Sequence, residues 1–271
     1  MEKLDVVVCT YQSGKYLDEC LTSIKQYVPV NNLIVVDHYS TDDTLKIAGK
    51  HGAQILLENV SLGHARQIGM NTVSTRLFLF VDSDAVLSGN EWLNRACEML
   101  NRDDRLGAVV LDVPTRTRRL EPKVKYDNWW RKFTSQSKNV GFFCIVTLLK
   151  KEALKRIRIP SNLSSGEDKY IGLYLNKNGW KYYVMKTEES VHYCDHGSMK
   201  SLWEGAGDRK LFGLRLLPSI LIRKILLAPV KALLPAIFER DVKIITWNTI
   251  HWLDYLKGFL KAEKYWNMKR S

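Results

Sequence analysis

Leu77-Phe78-Leu79-Phe80-Val81-Asp82-Ser83-Asp84 carries the strongest structural signal in this 271-residue chain. Five apolar residues without a polar interruption read as a strand covered on both faces. That is the pattern of a parallel sheet with helices on either side. Two carboxylates follow at i and i+2, where the chain must turn. Similar units lie on the N-terminal side. Val6-Val7-Val8-Cys9 reads as a strand reaching Thr10, and Leu33-Ile34-Val35-Val36 as one ending at Asp37. Between them lie helical patterns over 16–27, 42–51 and 64–71, the second with a carboxylate-rich first turn and the third following Gly63. Residues 54–57 add a short strand, 91–101 a helix and 107–111 a strand. This alternation predicts an α/β fold on a doubly wound, mostly parallel sheet. Such sheets bind ligands at the carboxyl ends of their strands, where Thr10, Asp37, Asp82 and Asp84 fall.

After Pro114 the pattern changes. Residues 115–138 are basic and aromatic, 140–149 read as a strand and 151–156 as a short helix. A polar loop at 161–166 leads into Glu167-Asp168, a helix over 169–177 and a strand over 181–185. From about Met199 the chain reads as helical, basic and Trp-rich.

Composition is that of a globular protein, 45% hydrophobic and 26% charged, which excludes a disordered tail or a collagen-like repeat. The net charge of +12 is uneven. Residues 1–115 carry 10 basic and 15 acidic side chains, 116–158 carry 13 and 3, and 199–271 carry 14 and 6. The basic blocks predict an anionic partner: phosphates, nucleic acid or a membrane surface. Five scattered cysteines without a CxxC pair suggest reduced thiols in the cytoplasm. The most apolar segment, 211–238, is broken by Arg215, Arg223, Lys224, Lys231 and three prolines. A segment lying on a membrane fits it better than a spanning helix.

Several residue groups can carry chemistry. Asp82 and Asp84 can converge on one divalent cation, and oxygen ligands suit Mg2+ or Mn2+. Asp37 can bind a ribose or base, while Ser40 or Thr41 caps the next helix. Arg66, near a helix start, can meet a phosphate or orient the carboxylates, while in isolation it reads as an exposed helix arginine. Glu167-Asp168 either supplies a general base or simply charges the first turn of its helix. His192 and His196 flank Cys194 and Asp195 with a spacing that matches no standard zinc pattern, so one histidine joining the cation at Asp84 is the better reading. His38, His51, His64 and His251 read in the first instance as structural.

In this order, the motifs resemble the family 2 glycosyltransferases of the GT-A fold. Val6-Val7-Val8-Cys9-Thr10-Tyr11 resembles the family's first strand, and Val35-Val36-Asp37 with Ser40-Thr41-Asp42 its nucleotide motif. Gly63-x-Ala65-Arg66-x-x-Gly69, Asp82-x-Asp84, Gly166-Glu167-Asp168 with Gly179-Trp180, and Val191-His192 follow in sequence. The resemblance covers about residues 4–196 and implies a GT-A, Rossmann-like catalytic domain over 1–198. Its nucleotide-sugar half would be 1–115 and its acceptor half 116–198, followed by a helical, membrane-associating region over 199–271. It implies an inverting, metal-dependent transfer from a nucleotide-sugar donor to a hydroxyl. Thr10, Tyr11, Asp37, His38, Arg66, Asp82 and Ser83 would lie at the donor, and Asp82, Asp84 and His192 at Mg2+ or Mn2+. Asp168 would act as base, with Glu167 assisting. His38 departs from the family, whose usual motif here is Asp-Asp-Gly-Ser. A sugar nucleotidyltransferase is the alternative enzyme, and a nucleic-acid-binding protein the non-enzymatic one. The acidic first domain argues against the latter.

For the basic blocks, Arg116, Arg118, Arg119, Lys123, Lys125, Arg131 and Lys132 with Trp129 and Trp130 suggest a platform for a sugar or lipid phosphate; the competing reading is a solvated loop. Residues 199–271, with Trp247, Trp252, Tyr255, Phe259, Tyr265 and Trp266 among lysines, suggest an anionic membrane surface as partner. The acceptor is then expected to be lipid-linked or a glycan, with the enzyme peripheral on the cytoplasmic membrane face.

Overall fold

The computed structural model of the chain describes residues 2–116, 122–132, 137–138, 141–193 and 200–266. Contacts divide it into two units: 1–114, 135–163 and 167–193 form one, and 115–134, 164–166 and 194–271 the other.

The first unit is the expected α/β sheet. It comprises β1 (Leu4–Thr10), α1 (Leu17–Tyr27), β2 (Val30–Asp37), α2 (Thr44–Lys50), β3 (Gln54–Leu57), α3 (Leu62–Thr72), β4 (Leu77–Asp82), β5 (Ala85–Leu87), α4 (Glu91–Arg102) and β6 (Leu106–Asp112). In the second unit, β7 (Thr115–Arg116) and α5 (Pro122–Arg131) follow. The first then resumes with β8 (Ser137–Lys138), β9 (Val146–Lys150), α6 (Glu167–Lys177), β10 (Lys181–Lys186) and β11 (Ser190–Tyr193). The strand order is β3-β2-β1-β4-β9-β6-β10-β8, with β9 and β8 antiparallel to their neighbours. The β-branched and aromatic strands are buried on both faces; Val6, Val8, Leu79 and Val81 pack with Leu17, Leu21 and Ile24 of α1 and Trp92 of α4.

Strands β2 and β3 build outward from one side of β1, and β4 returns on its other side. The crevice between the carboxyl ends of β1 and β4 is therefore the topological switch point, where ligands of open α/β sheets bind. There Cys9 and Asp82 are register partners. Residues 141–145, expected as part of β9, form a loop instead. Its Ile145 carbonyl accepts from the Asp82 amide at 2.8 Å, so the loop serves the crevice rather than the sheet.

The second unit is helical: α5, α7 (Lys200–Phe212), α8 (Leu217–Ser219) followed by wider π-type turns over 220–226, α9 (Ala228–Phe238), α10 (Lys243–Leu260) and α11 (Ala262–Trp266). Helices α7 and α10 cross with almost no gap. A Cβ on Gly205 would lie 2.0 Å from the Tyr255 carbonyl oxygen, and one on Gly258 2.0 Å from that of Leu202. The segment expected as a basic platform or solvated loop is helix α5, and residues 115–134 group with the C-terminal helices rather than with the 116–198 half. Trp129 is buried and packs on Trp130 and Phe238, with ring centroids at 4.9 and 5.9 Å, so it offers no face to a sugar. Lys123 and Lys125 pair with Asp127 and Asp241 at 3.0 and 2.6 Å. Arg118, Arg119, Cys194 and His196 lie outside the described residues. Among the described residues no helix is long and apolar enough to cross a membrane.

Candidate active site at the β1–β4 crevice

Three distant segments meet at the Asp82-Ser83-Asp84 turn. The turn leads from β4 into β5, and β5 pairs antiparallel with β11, setting Ala85 opposite His192. The Tyr193 amide then donates to the Asp84 carbonyl at 2.8 Å, and His192 Nε2 sits 3.2 Å from Asp84 Oδ1. Stacking of Tyr16 on Tyr193, with centroids 5.0 Å apart, closes the same edge. One ligand atom each from Asp82, Asp84 and His192 lies within 4.8 Å of the others. An octahedral ion with bonds of about 2.1 Å spaces its ligands roughly 3–4 Å apart, so this cluster fits a divalent cation after small side-chain shifts.

Arg66 ties this cluster to Glu167, the residue before Asp168. Helix α3 is capped by Ser61, whose Oγ accepts from the His64 amide at 3.1 Å. It lies directly on β1, since a Cβ on Gly69 would sit 2.4 Å from Val7 Cγ1. This close approach carries Arg66 inward until it is almost wholly buried, over the Phe80 ring at 5.0 Å. Its Nη2 donates to Asp82 Oδ1 at 2.9 Å and its Nε to Glu167 Oε1 at 3.2 Å. Arg66 is therefore not the exposed helix arginine of the default reading, and of the other two the arrangement favours orienting the carboxylates. Buried Nη1 has no partner among the described residues. Burial pushes the Asp82 carboxyl up, opposed by Arg66 and reinforced by Asp84.

Asp168 follows Glu167 in the first turn of α6, with Oδ1 accepting from the Lys169 amide at 2.6 Å. Burial, then the neighbouring Glu167 charge, push its carboxyl from 3.8 to about 7, despite that amide and Arg66. A carboxylate poised there can take a proton near neutral pH. The nearby thiols are no rivals, since burial pushes Cys9 up to about 12 and Cys144 well above its ordinary value.

The donor-side residues divide. Asp37, expected against a ribose or base, is fully buried and consumed internally. It accepts from Thr10 Oγ1, the Ser40 amide and Ser40 Oγ, each at 2.7 Å. Asp37 and Thr10 therefore shape the pocket wall rather than face a ligand. Tyr11 and His38 remain at the surface of the crevice, their rings edge to face at 5.3 Å. Ser83 Oγ lies 2.9 Å from Ser13 Oγ, joining the β4 turn to the loop after β1. In that loop the amides of Gln12, Ser13 and Gly14 are taken by Ser40 Oγ, Thr44 Oγ1 and Asp42 Oδ2. None of these three is left to cradle a phosphate, which counts against the nucleotidyltransferase alternative.

The sequence reading missed Glu58. It follows β3 as Asp37 ends β2 and Asp82 ends β4, and this shared position was the available signal. Buried, it accepts from His38 and His64 Nδ1 at 2.5 and 3.2 Å.

Residues 5–154 match the model described as glycosyl transferase family 2. The chain belongs to this family. The matched span holds Asp82, Asp84 and Arg66; Glu167, Asp168 and His192 lie beyond it. The poly(ribitol-phosphate) beta-N-acetylglucosaminyltransferase TarS of Staphylococcus aureus is 28% identical over 193 residues, 66% of this chain and 33% of that protein. A teichoic acid poly(glycerol phosphate) polymerase of Staphylococcus epidermidis is 36% identical over 125 residues, 43% of this chain and 17% of that protein. The chain thus spans a third or less of these relatives. Among solved structures, Staphylococcus aureus TarS 1–349 in complex with UDP-GlcNAc superposes with TM-score 0.57 at 16% identity, covering 97% of this chain and 92% of that one. The mannosyltransferase PcManGT from Pyrobaculum calidifontis, in complex with GDP-Man and Mn2+, gives 0.61 at 16% identity, covering 96% and 87%. At these identities the likeness establishes the shared GT-A fold.

Proposed function

We propose that this family 2 chain is an inverting glycosyltransferase, dependent on a divalent cation, that moves a sugar from a nucleoside-diphosphate donor to a hydroxyl of a phosphate-bearing or lipid-linked glycan acceptor. The observation that carries this reading is the buried Arg66, which joins Asp82 of the metal-ligating cluster to Glu167 beside Asp168. Tyr11 and His38 would face the base end of the donor and Asp82 and Ser83 its ribose and phosphates. Asp82, Asp84 and His192 would hold Mg2+ or Mn2+, which offsets charge on the departing nucleoside diphosphate. Asp168 removes the acceptor's hydroxyl proton. The freed oxygen bonds to the anomeric carbon from the face opposite the phosphate, and the bond from that carbon to the phosphate oxygen breaks. Glu167, held by Arg66, keeps Asp168 in position and raises its affinity for that proton.

The names of the relatives support a polyol-phosphate or teichoic-acid-like acceptor, which suits the basic balance of this chain. The exposed apolar stripe of the second unit favours work at an anionic membrane surface, and a place on the cytoplasmic side is part of the same proposal. In α9 the small residues Ala228, Ala232 and Ala236 point inward. Val230, Leu233, Leu234, Ile237 and Phe238, at i, i+3, i+4, i+7 and i+8, are 48–69% exposed. Ile222 and Leu226 continue this stripe toward the N-terminus. A ridge of large apolar side chains in water marks a surface that something apolar covers. The deciding experiment is turnover of a panel of nucleotide sugars with Mn2+, with Asp84→Ala and Asp168→Asn as controls. Turnover lost in both supports the reading; turnover retained in either ends it.

A further inference from the structure

The basic block over 116–158 is only partly spent within the protein. Lys123, Lys125 and Lys132 pair with Asp127, Asp241 and Glu239 at 3.0, 2.6 and 3.9 Å. Its other end, 151–158, holds two lysines and two arginines against Glu152. This stretch and α3 line a cavity of about 460 Å3 in the first unit. Met70, Phe78 and Leu154 form its buried apolar floor, and Arg76, Lys151, Lys155 and Arg158 supply its cations. Arg76 is satisfied by Glu2 and Asn101 at 2.8 and 2.9 Å. Lys151 Nζ and Arg158 Nη1 instead donate to the backbone carbonyls of Val73 and Ile157, at 2.7 and 2.8 Å. Those carbonyls are neutral, so both charges stay uncompensated. The exposed Lys155 has no ion pair or hydrogen bond among the described residues. On the α3 wall, Asn71 Oδ1 accepts from Gln67 Nε2 at 3.0 Å, and Gln67 Oε1 from the Ile159 amide at 2.9 Å. With both oxygens engaged, what these amides offer the cavity is N–H donors. Donors and uncompensated cations around an apolar floor suit an anion that carries a carbon stem.

The cavity is separate from the crevice. Phe78 precedes Asp82 by four residues of β4, about 13 Å of strand. The Gln67–Ile159 bond closes the gap between α3 and 159–163 toward the crevice, as does the Gly63 amide on the Leu163 carbonyl at 2.9 Å. Only a ligand long enough to pass around this clamp occupies both places. Building on the glycosyltransferase reading above, we propose that the cavity is a second acceptor site. It holds a phosphodiester of a polyol-phosphate chain while a hydroxyl further along the same chain reaches Asp168. Phe78, the one ring in the described lining, is buried, so no aromatic face stands open for a base. That favours a polyol-phosphate chain over single-stranded nucleic acid. Gripping the chain here raises the effective concentration of its hydroxyl at the base. The site acts on acceptor affinity and leaves the bond-making step alone.

The test is calorimetric binding to the full chain, without donor. The probes are inorganic phosphate, glycerol phosphate, a synthetic oligo(glycerol phosphate) long enough to span both places, and single-stranded DNA of equal charge. The oligomer should bind at least about tenfold tighter than the other three. Lys155→Glu with Arg158→Glu should weaken it about tenfold, the scale of several exposed ion pairs. Lys46→Glu with Lys50→Glu makes the same charge change on the exposed face of α2 and should leave binding unaltered. In turnover the first pair should raise the oligomer's KM about tenfold and leave kcat and the donor's KM as they are. Oligomer binding untouched by the first pair, or lowered alike by both pairs, overturns the proposal. Phosphate bound as tightly as the oligomer marks a small-anion site, and DNA bound as tightly marks a general polyanion surface; either result also overturns it. Oligomer turnover with a KM indifferent to the first pair overturns this site and keeps the transferase reading. Oligomer binding weakened by the first pair alone, with no nucleotide sugar turned over, ends the transferase reading and keeps the phosphodiester site.

Discussion

Replacing Asp168 by Asn should stabilise the protein while disabling it. The side chain ionises at about 7 in the fold against 3.8 as a free group. That is about three units, and at about 1.4 kcal/mol each the ceiling is near 4 kcal/mol. The unfolded chain releases its proton near pH 4 and the native site near pH 7. Native stability is therefore undiminished below about pH 4, falls as pH rises toward 7, and stays reduced above it. Asn is neutral throughout and its Oδ1 still accepts from the Lys169 amide. Urea unfolding at pH 4 should give equal stabilities, and at pH 8 the variant should lead by a margin bounded by about 4 kcal/mol. Turnover of the nucleotide sugar should drop by about two to four orders of magnitude. In the unmutated enzyme kcat/KM should be half-maximal near pH 7 and fall tenfold per unit well below it. Glu167→Gln removes a charge that raises Asp168 and should move this acid limb to lower pH. A variant no more stable at pH 8 than the parent, or an acid limb left near pH 4, would contradict the burial argument.

Arg66→Met leaves the buried Glu167 and the partly buried Asp82 without their cation. It should lower stability by about 3–5 kcal/mol in urea titrations, the usual cost of breaking a buried pair. Arg66→Lys should recover only part of this, because one ammonium cannot span both carboxylates as a guanidinium fork does. His192→Ala should weaken Mn2+ binding, read by electron paramagnetic resonance, by about tenfold or more, and Asp84→Ala by more still. Metal affinity of the unmutated chain should rise with pH, since the cation competes with protons at an Asp82 that burial holds high. Leu234→Asp with Ile237→Asp should abolish co-sedimentation with anionic vesicles without lowering Tm, because both residues already face water.

The sheet was legible in the sequence because its strands are apolar on both faces and end in carboxylates. Asp82 and Asp84 stood out by the same rule, as polar residues where apolar periodicity stops, and Asp168 as a carboxylate that opens a helix after a polar loop. What escaped depended on partners far along the chain. Asp37 looks like a ligand in sequence, yet Thr10 and Ser40 use its oxygens. Glu58 looks like an ordinary loop acid, yet two histidines converge on it. Strand β5, three residues long, is defined only by β11, about a hundred residues later, and that pairing puts His192 on Asp84. Trp129 looks like a sugar platform until α9 and α10 supply the core that buries the faces of α5.

The basic tail invites an electrostatic account of membrane contact, but magnitudes favour another. Five large apolar side chains of α9 stand about half exposed, and burying the remainder is worth about 1 kcal/mol each, about 5 in all. Lys231, Arg240 and Lys243 lie within α9 or up to five residues beyond it, and Arg223 and Lys224 precede it. Each adds about 1 kcal/mol near an anionic leaflet, and salt screens that share. In the membrane contact proposed above, apolar insertion would then contribute at least as much of the attraction as charge does, and charge would favour anionic lipid. Helix α9 could carry such a ridge only by burying alanine inward, for with large residues on both faces the helix would need a second core. The alanine face against Ile244 of α10 is thus what leaves the leucines, isoleucine and phenylalanine free to face outward.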